Sequence, residues 1–226
     1  MKPKKKLSNF LELWPDEIRD IRHEALDEHG HLRILPAAFW EATTVQERAF
    51  FGNRTGIYCF PTVELVERLR ELIAGRVAVE IGAGNGVLAK ALGIIATDSY
   101  QQAQPKYRAM YEAGDQVTVP YGDHVIEMAA RQAVRFFKPQ VVLGCWVTHK
   151  YDPKHPKRGG NEVGIDEFDI LKNCEEYIFV GNRSVHQHKF IWASKHEIEY
   201  PPYVFSRAHN GTKDFIARFK GKKNGP

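Results

Sequence analysis

The sequence predicts an α/β fold: a doubly wound, mostly parallel seven-stranded sheet with helices on both faces, its last strand antiparallel, preceded by a helical N-terminal extension. Three observations carry this expectation. From Pro61 onward short apolar runs alternate with amphipathic stretches, a pattern that demands parallel strands joined by crossovers. Residues 141–146, Val-Val-Leu-Gly-Cys-Trp, are apolar throughout, as suits a strand in the middle of a sheet. Between the first strand and the next helix lies Gly82-Ala83-Gly84-Asn85-Gly86, a turn of the kind that admits a nucleotide.

Taken in order, residues 7–29 carry Leu7, Leu11, Trp14, Ile18, Ile21 and Leu26 among charges, spaced for one or two amphipathic helices interrupted at Pro15. Residues 30–55 are irregular, with a short helix expected near 37–51. The spacing of Val63, Leu65, Val66, Leu69, Leu72 and Ile73 predicts a helix that ends at Gly75. A strand at 77–81, the glycine turn and a helix at 87–92 follow. A second strand is expected at 94–98, a helix at 105–113, a third strand at 116–119 and a helix at 124–137, with Val125, Met128, Ala129, Ala133 and Phe136 on one face. The fourth strand is 141–146, then come a helix at 166–173 and strands at 177–180, 196–200 and 214–219. The last two strands lack a clear helix between them, so the final one is expected to be antiparallel. The domain scheme is an extension at 1–55 with a basic tip at 1–6, a nucleotide-binding domain at 56–219 and a basic tail at 220–226.

With 226 residues, 43% of them hydrophobic, the chain is long enough to bury one core. Its apolar stretches fall far short of the roughly 20 residues of a membrane span, and polar residues from Ser8 onward interrupt any signal-peptide pattern, so a cytoplasmic protein without a membrane partner is expected. The net charge of +4 sits at the ends: Lys2, Lys4, Lys5 and Lys6 at one, Lys220, Lys222 and Lys223 at the other, leaving residues 7–219 at −3. Such tails add solubility and at most weak, sequence-independent contact with nucleic acid. Cys59, Cys145 and Cys174 lack CxxC spacing and suggest neither a disulfide framework nor a zinc site. His186, His188 and His196 lack partnered carboxylates or cysteines, and no metal is assigned.

Alternating glycines at 82, 84 and 86 let the backbone turn sharply and let a ligand approach it, but alone they specify only a nucleotide turn. Two carboxylates narrow the ligand. Asp98, with Ser99 beside it, stands at the end of the second strand, where an acidic side chain accepts the hydroxyl protons of a ribose. Glu80 lies two residues before Gly82, which is awkward for a pyrophosphate and suited to a cationic ligand. These residues resemble the first motif of the class I S-adenosylmethionine-dependent methyltransferases, an acidic residue followed by Gly-x-Gly-x-Gly. The resemblance covers about residues 61–219. It implies S-adenosylmethionine as cofactor, held by Glu80, Gly82, Ala83, Gly84, Asn85, Gly86, Asp98 and Ser99. It further implies that Gly122-Asp123 meets the adenine amino group, with Tyr121 or His124 stacking on the base; for Asp123 a helix cap is an equal alternative. Tyr58, just before the first helix of the fold, is placed within reach of the cofactor. The dinucleotide pattern Gly-x-Gly-x-x-Gly is not met, because residue 87 is Val87.

Methyl transfer requires mainly alignment of the nucleophile with the methyl carbon, sometimes with a base. In the resembled family acceptor-side residues follow the fourth strand, here residues 145–151, and His149 is the candidate general base. The Asn/Asp-Pro-Pro-aromatic motif of base amino-methyltransferases is absent, as is a Pro-Cys nucleophile. The loop 151–164, rich in Pro, Gly and Lys, is where specificity is expected. The acceptor itself is not written in the sequence. A non-catalytic nucleoside-binding or assembly protein is the alternative function, and a dinucleotide-dependent oxidoreductase is a less favoured one.

Overall fold

The computed structural model describes residues 5–8, 11–13 and 18–222, the first two segments as backbone only. The basic tips, with Lys2, Lys4 and Lys223 and the nucleic-acid contact expected of them, lie outside the described residues. Among the described residues no helix is long and apolar enough to cross a membrane.

The chain begins with strands β1 (Lys5–Ser8) and β2 (Leu11–Leu13), then helices α1 (Arg22–Ala25), α2 (Ala37–Glu41) and α3 (Val45–Thr55), and strand β3 (Cys59–Phe60). Helix α4 (Val63–Ile73), strand β4 (Ala78–Ile81), α5 (Val87–Leu92), β5 (Ile95–Asp98), α6 (Pro105–Ala113) and β6 (Ile126–Glu127) follow. The remainder is α7 (Ala130–Phe137), β7 (Val141–Cys145), α8 (Glu167–Lys172), β8 (Glu176–Asn182), β9 (His196–Glu199), β10 (Phe205–Ser206) and β11 (Asp214–Lys220). Seven strands form the main sheet in the order β6-β5-β4-β7-β8-β11-β9. All neighbours from β6 to β8 pair in parallel, and β11 runs antiparallel to both β8 and β9, so the final strand is inserted against the sheet as expected.

Two apolar layers hold the helices on the sheet. On one face α4 buries Leu65, Val66, Leu69, Leu72 and Ile73 against Ala78, Val141, Leu143 and Ile178. The helix starts where the Thr62 hydroxyl accepts the Leu65 N–H at 3.0 Å and donates to the Tyr203 carbonyl at 2.8 Å, a cap that also ties it to the C-terminal region. On the other face Ala133 and Val134 of α7 and Ile170 and Leu171 of α8 cover Val79, Ile81, Val142, Tyr177, Phe179 and Phe219. Each large side chain so buried contributes about 1.5–3 kcal/mol.

Two expected elements differ. The run 116–119 is not a strand. The Val119 N–H goes to the Gln102 side-chain oxygen at 2.9 Å and the Val117 N–H to the Asn53 carbonyl at 3.4 Å, and Pro120 has no N–H to give. The third strand is instead the stub β6, pairing Ile126 with Thr97 and Glu127 with Asp98, and the helix expected from 124 starts at Ala130. The segment 7–29 is also not a pair of amphipathic helices. β1 and β2 pair antiparallel, with Lys5 opposite Leu13, and among the described residues of the segment only α1 is helical. Asp27 ends that turn by accepting the N–H groups of His29 at 2.9 Å and His31 at 2.8 Å, a local bond set that competes with helix. Helical structure in the extension falls in α2 and α3, the latter fixed by a Thr44–Glu47 capping box. Trp40 stacks on Phe60 at 4.5 Å between ring centroids with Phe51 at their edge, and this cluster reaches Val87 and Phe205 of the sheet domain.

Candidate functional site

Strand β4 has β5 on one side and β7 on the other. The chain fills one half of the sheet before crossing to the other, so β4 and β7 flank the switch point, beyond whose strand ends open α/β sheets receive ligands. A cleft of about 240 Å³ lies there. Its floor is the glycine turn. Gly82 has φ +62°, and a Cβ on it would stand 2.6 Å from Val147 Cγ1; at Gly86, with φ +69°, it would stand 2.5 Å from His124 Nε2. Both positions need glycine for conformation and for space. The turn is fastened by Ala83 N–H to the Thr97 carbonyl at 3.0 Å and by Gly86 N–H to the Ala83 carbonyl at 2.9 Å.

Asp98 ends β5 facing this turn. One carboxylate oxygen accepts the Gly84 N–H at 2.9 Å and the other the Tyr100 N–H at 3.0 Å, so the group is oriented and borders the cleft. Burial pushes its pKa up, against the lowering effect of these backbone donors. Glu80 is 2% exposed and accepts the Ala89 N–H at 2.9 Å. Burial pushes its carboxyl up to about 8, opposed by that N–H and assisted by the nearby charge of Asp98. Glu80 and Asp98 are the charged residues of the cleft lining; among the described residues that lining holds no lysine, arginine or histidine.

The rim is aromatic. Tyr58 lies under the Arg207 guanidinium, 3.7 Å from its ring centre, and its hydroxyl shares a 3.0 Å hydrogen bond with that of Tyr111. Tyr121 packs edge-on to Tyr100 at 4.1 Å. Trp146, the residue after β7, has φ +58°, a conformation that costs a non-glycine residue about 1–3 kcal/mol and that collects at functional sites. Its backbone N–H still reaches the Val180 carbonyl at 2.9 Å. Cys59 and Cys145 meet in the cleft, where the contact with Cys59, together with burial, pushes the Cys145 thiol upward.

Of the residues singled out from sequence, Tyr58, Glu80, Gly82, Ala83, Gly84, Asn85, Asp98 and Ser99 line the cleft. Gly86, Gly122 and His124 stand behind it. The His124 ring bonds the Gly86 carbonyl at 2.9 Å, and a Cβ on Gly122 would meet the Asn85 carbonyl at 2.5 Å, so both brace the turn from outside. Asp123 is exposed and outside the lining, because the segment carrying it precedes the stub β6 instead of following a third strand. His149 is not brought to the cleft. It lines a second cavity, and burial and the Lys189 charge lower its pKa. His186 is buried, its Nδ1 accepting the Asn182 N–H at 2.9 Å. No group of three or more His, Cys, Asp or Glu able to hold a metal occurs among the described residues. Residues the sequence did not assign to the site also line the cleft: Cys59 of β3, Gln101 and Gln102 after β5, Tyr111 of α6, and Asn161 from the long loop. The loop 148–165 is itself tightly bonded, with Ile165 N–H to the Thr148 carbonyl at 2.9 Å and Tyr151 N–H to the Asn161 carbonyl at 2.8 Å.

No protein-family model and no curated protein matches the chain. Solved structures are similar to it in fold. A SAM-dependent O-methyltransferase from Thermotoga maritima shares 10% identity over 81% of this chain and 73% of its own, with a TM-score of 0.41. The bifunctional kinase-methyltransferase WbdD shares 12% over 91% of this chain, which spans 45% of WbdD, with a TM-score of 0.41. A SAM-dependent methyltransferase from Agrobacterium tumefaciens shares 12% over 70% of this chain and 60% of its own, with a TM-score of 0.32. These are likenesses of fold at low identity.

Proposed function

We propose that the cleft binds S-adenosylmethionine and that the protein transfers its methyl group to an acceptor. One observation carries this: a glycine turn at a sheet switch point, bordered by the buried Glu80 and half-buried Asp98 carboxyls and, among the described residues, by no cationic side chain. A dinucleotide brings a pyrophosphate, whose two negative charges would meet Glu80 and Asp98 with nothing to offset them. S-adenosylmethionine brings a sulfonium and an ammonium, and its cationic end suits that lining. When bound, it supplies an electrophilic methyl group.

The chain's residues would then act as follows. Asp98, fixed by two backbone N–H groups, would accept the ribose hydroxyls. Glu80 would ionise beside positive charge. Gly82 and Gly84 would let the nucleoside lie against the backbone. Trp146 and Tyr58 would close the side from which an acceptor enters, excluding water from the methyl group. With His149 outside the cleft, its lining offers no imidazole or amine as base, which favours an acceptor whose nucleophile is already deprotonated or neutral at work. The same absence supports a second reading, a cofactor-binding protein without turnover.

Calorimetry with S-adenosylmethionine, S-adenosylhomocysteine and NAD tests the binding. Affinity for the first two and none for NAD is expected; tight binding of NAD alone would overturn the proposal. Incubation with methyl-labelled cofactor and fractionated cell extract then separates the two readings, because label reaching any fraction requires turnover.

A further inference from the structure

Cys59 and Cys145 stand 86 positions apart in the chain, yet both line the wall of the cleft. Cys59 comes from β3, where it lies opposite Ser206 of β10, and it is 7% exposed. The next residue, Phe60, stacks on Trp40 with Phe51 at its edge, so β3 is held firmly from the side of the extension. Cys145 ends β7, opposite Val180 of β8, and is half-buried. The two thiols share a hydrogen bond and pack into the same apolar layer, with Leu65 and Leu143. The third cysteine, Cys174, is fully buried and belongs to the layer on the opposite face of the sheet.

Where two thiols touch at the wall of a cleft, oxidation of one leads to a bond with the other instead of stopping at a single sulfur. We propose that Cys59 and Cys145 are a modification site for hydrogen peroxide, at which the two thiols join as a reversible disulfide in the cleft wall. Cys145, the more exposed, reacts first. Its sulfur takes one peroxide oxygen to become a sulfenic acid, and the other oxygen leaves as water. The Cys59 sulfur then displaces the sulfenic oxygen as a second water and forms the S–S bond. Two thiols and one peroxide thus give one disulfide and two waters, the sulfurs supplying the two electrons that reduce the peroxide. A dithiol reductant reverses the change by exchange through a mixed disulfide. The thiolate is the reacting form, and the contact with Cys59 and burial keep Cys145 protonated, so the pair responds to sustained oxidation and not to a brief pulse. The consequence falls on the rim of the cleft. Tyr58 and Trp146 adjoin the two cysteines in sequence, their ring centroids lie 6.1 Å apart, and the disulfide ties together the backbone beside both.

The test uses the full chain with hydrogen peroxide as oxidant and dithiothreitol as reductant, in native buffer and again in denaturant. In native buffer the intact mass is expected to fall by two hydrogens per chain and to be restored by dithiothreitol. Peptide mapping without reductant is expected to find the Cys59 and Cys145 peptides joined. The linked protein is expected to melt about 5–15 °C above the reduced one, because the bond closes a long loop of the unfolded chain. C174S should oxidise as wild type does. C59S and C145S should keep the two hydrogens, and in C59S the sulfenic acid on Cys145 should persist and be captured by dimedone. The wild-type mapping decides the matter even if a variant does not fold. Linkage to Cys174, linkage that forms only in denaturant, or sulfinic acid on Cys145 without linkage would overturn the proposal. These readouts need no S-adenosylmethionine and stand apart from whatever the cleft binds.

Discussion

Glu80 couples the stability of the ligand-free protein to the cofactor binding proposed for the cleft. Its folded pKa of about 8 lies above the ordinary 4.5, so between these values the folded state keeps a proton that the unfolded state has released. Stability contributed by that proton is present below pH 4.5 and is lost as pH rises toward 8 and beyond. At about 1.36 kcal/mol per pH unit the loss reaches about 5 kcal/mol once the group is fully ionised in both states. E80Q keeps an oxygen for the Ala89 N–H and cannot ionise. It is therefore expected to equal wild type near pH 5 and to exceed it by several kcal/mol at pH 9, which for a chain of this size is a melting-temperature gain of about 10 °C. Thermal unfolding of both proteins from pH 5 to 9 without ligand measures this. The same variant is expected to lose affinity for S-adenosylmethionine, while wild-type affinity rises between pH 6 and 8 as the ligand draws Glu80 into its ionised form. Parallel stability curves for the two proteins across that range would refute the assignment of an uncompensated buried carboxyl.

Three further outcomes are expected. D98A removes the acceptor of the Gly84 and Tyr100 N–H groups as well as the ribose acceptor proposed above, and should weaken S-adenosylmethionine binding by about 1–3 kcal/mol in calorimetry; unchanged affinity would remove Asp98 from the site. K189M strands the Glu167 carboxylate in the core and should cost about 3–5 kcal/mol in denaturant unfolding, with K189M/E167Q recovering much of it; an additive double variant would show that the pair is not coupled. G82A places a Cβ at positive φ against Val147 and should lower stability by about 1–3 kcal/mol and weaken cofactor binding together, whereas a neutral effect on both would mean that the turn is not held as described.

The parts of the site that were legible in the sequence are those whose parts are close along the chain. Glu80, the alternating glycines and Asp98 fall within 19 residues, and the strand, turn, helix, strand pattern around them fixes where each points. The segment 116–119 misled because Val117, Thr118 and Val119 have the side chains of a strand, while the acceptors that take its N–H groups lie far away in sequence, the Asn53 carbonyl and the Gln102 side-chain oxygen. The rim was hidden for the same reason. Tyr58 and Cys59 reach the cleft because β3 pairs with β10, a two-residue ladder between segments nearly 150 positions apart, too short to leave a periodic trace. His149, four residues beyond the end of β7, lines the second cavity instead of the cleft, and no residue type near the strand's end announces the left-handed backbone at Trp146.

Charge makes the same point about the ligand. The chain carries a net +4, from basic residues at its two ends, and by that number alone an anionic partner would be sought. The cleft is the reverse, two carboxyls and no cation among the residues that line it. A bound molecule meets the lining at a few ångströms across little water, where each charge acts strongly, whereas interactions of solvent-exposed charges are screened by salt beyond a Debye length of about 10 Å. If the cleft takes S-adenosylmethionine as proposed, raising ionic strength should change the protein's affinity for polyanions far more than its affinity for that molecule.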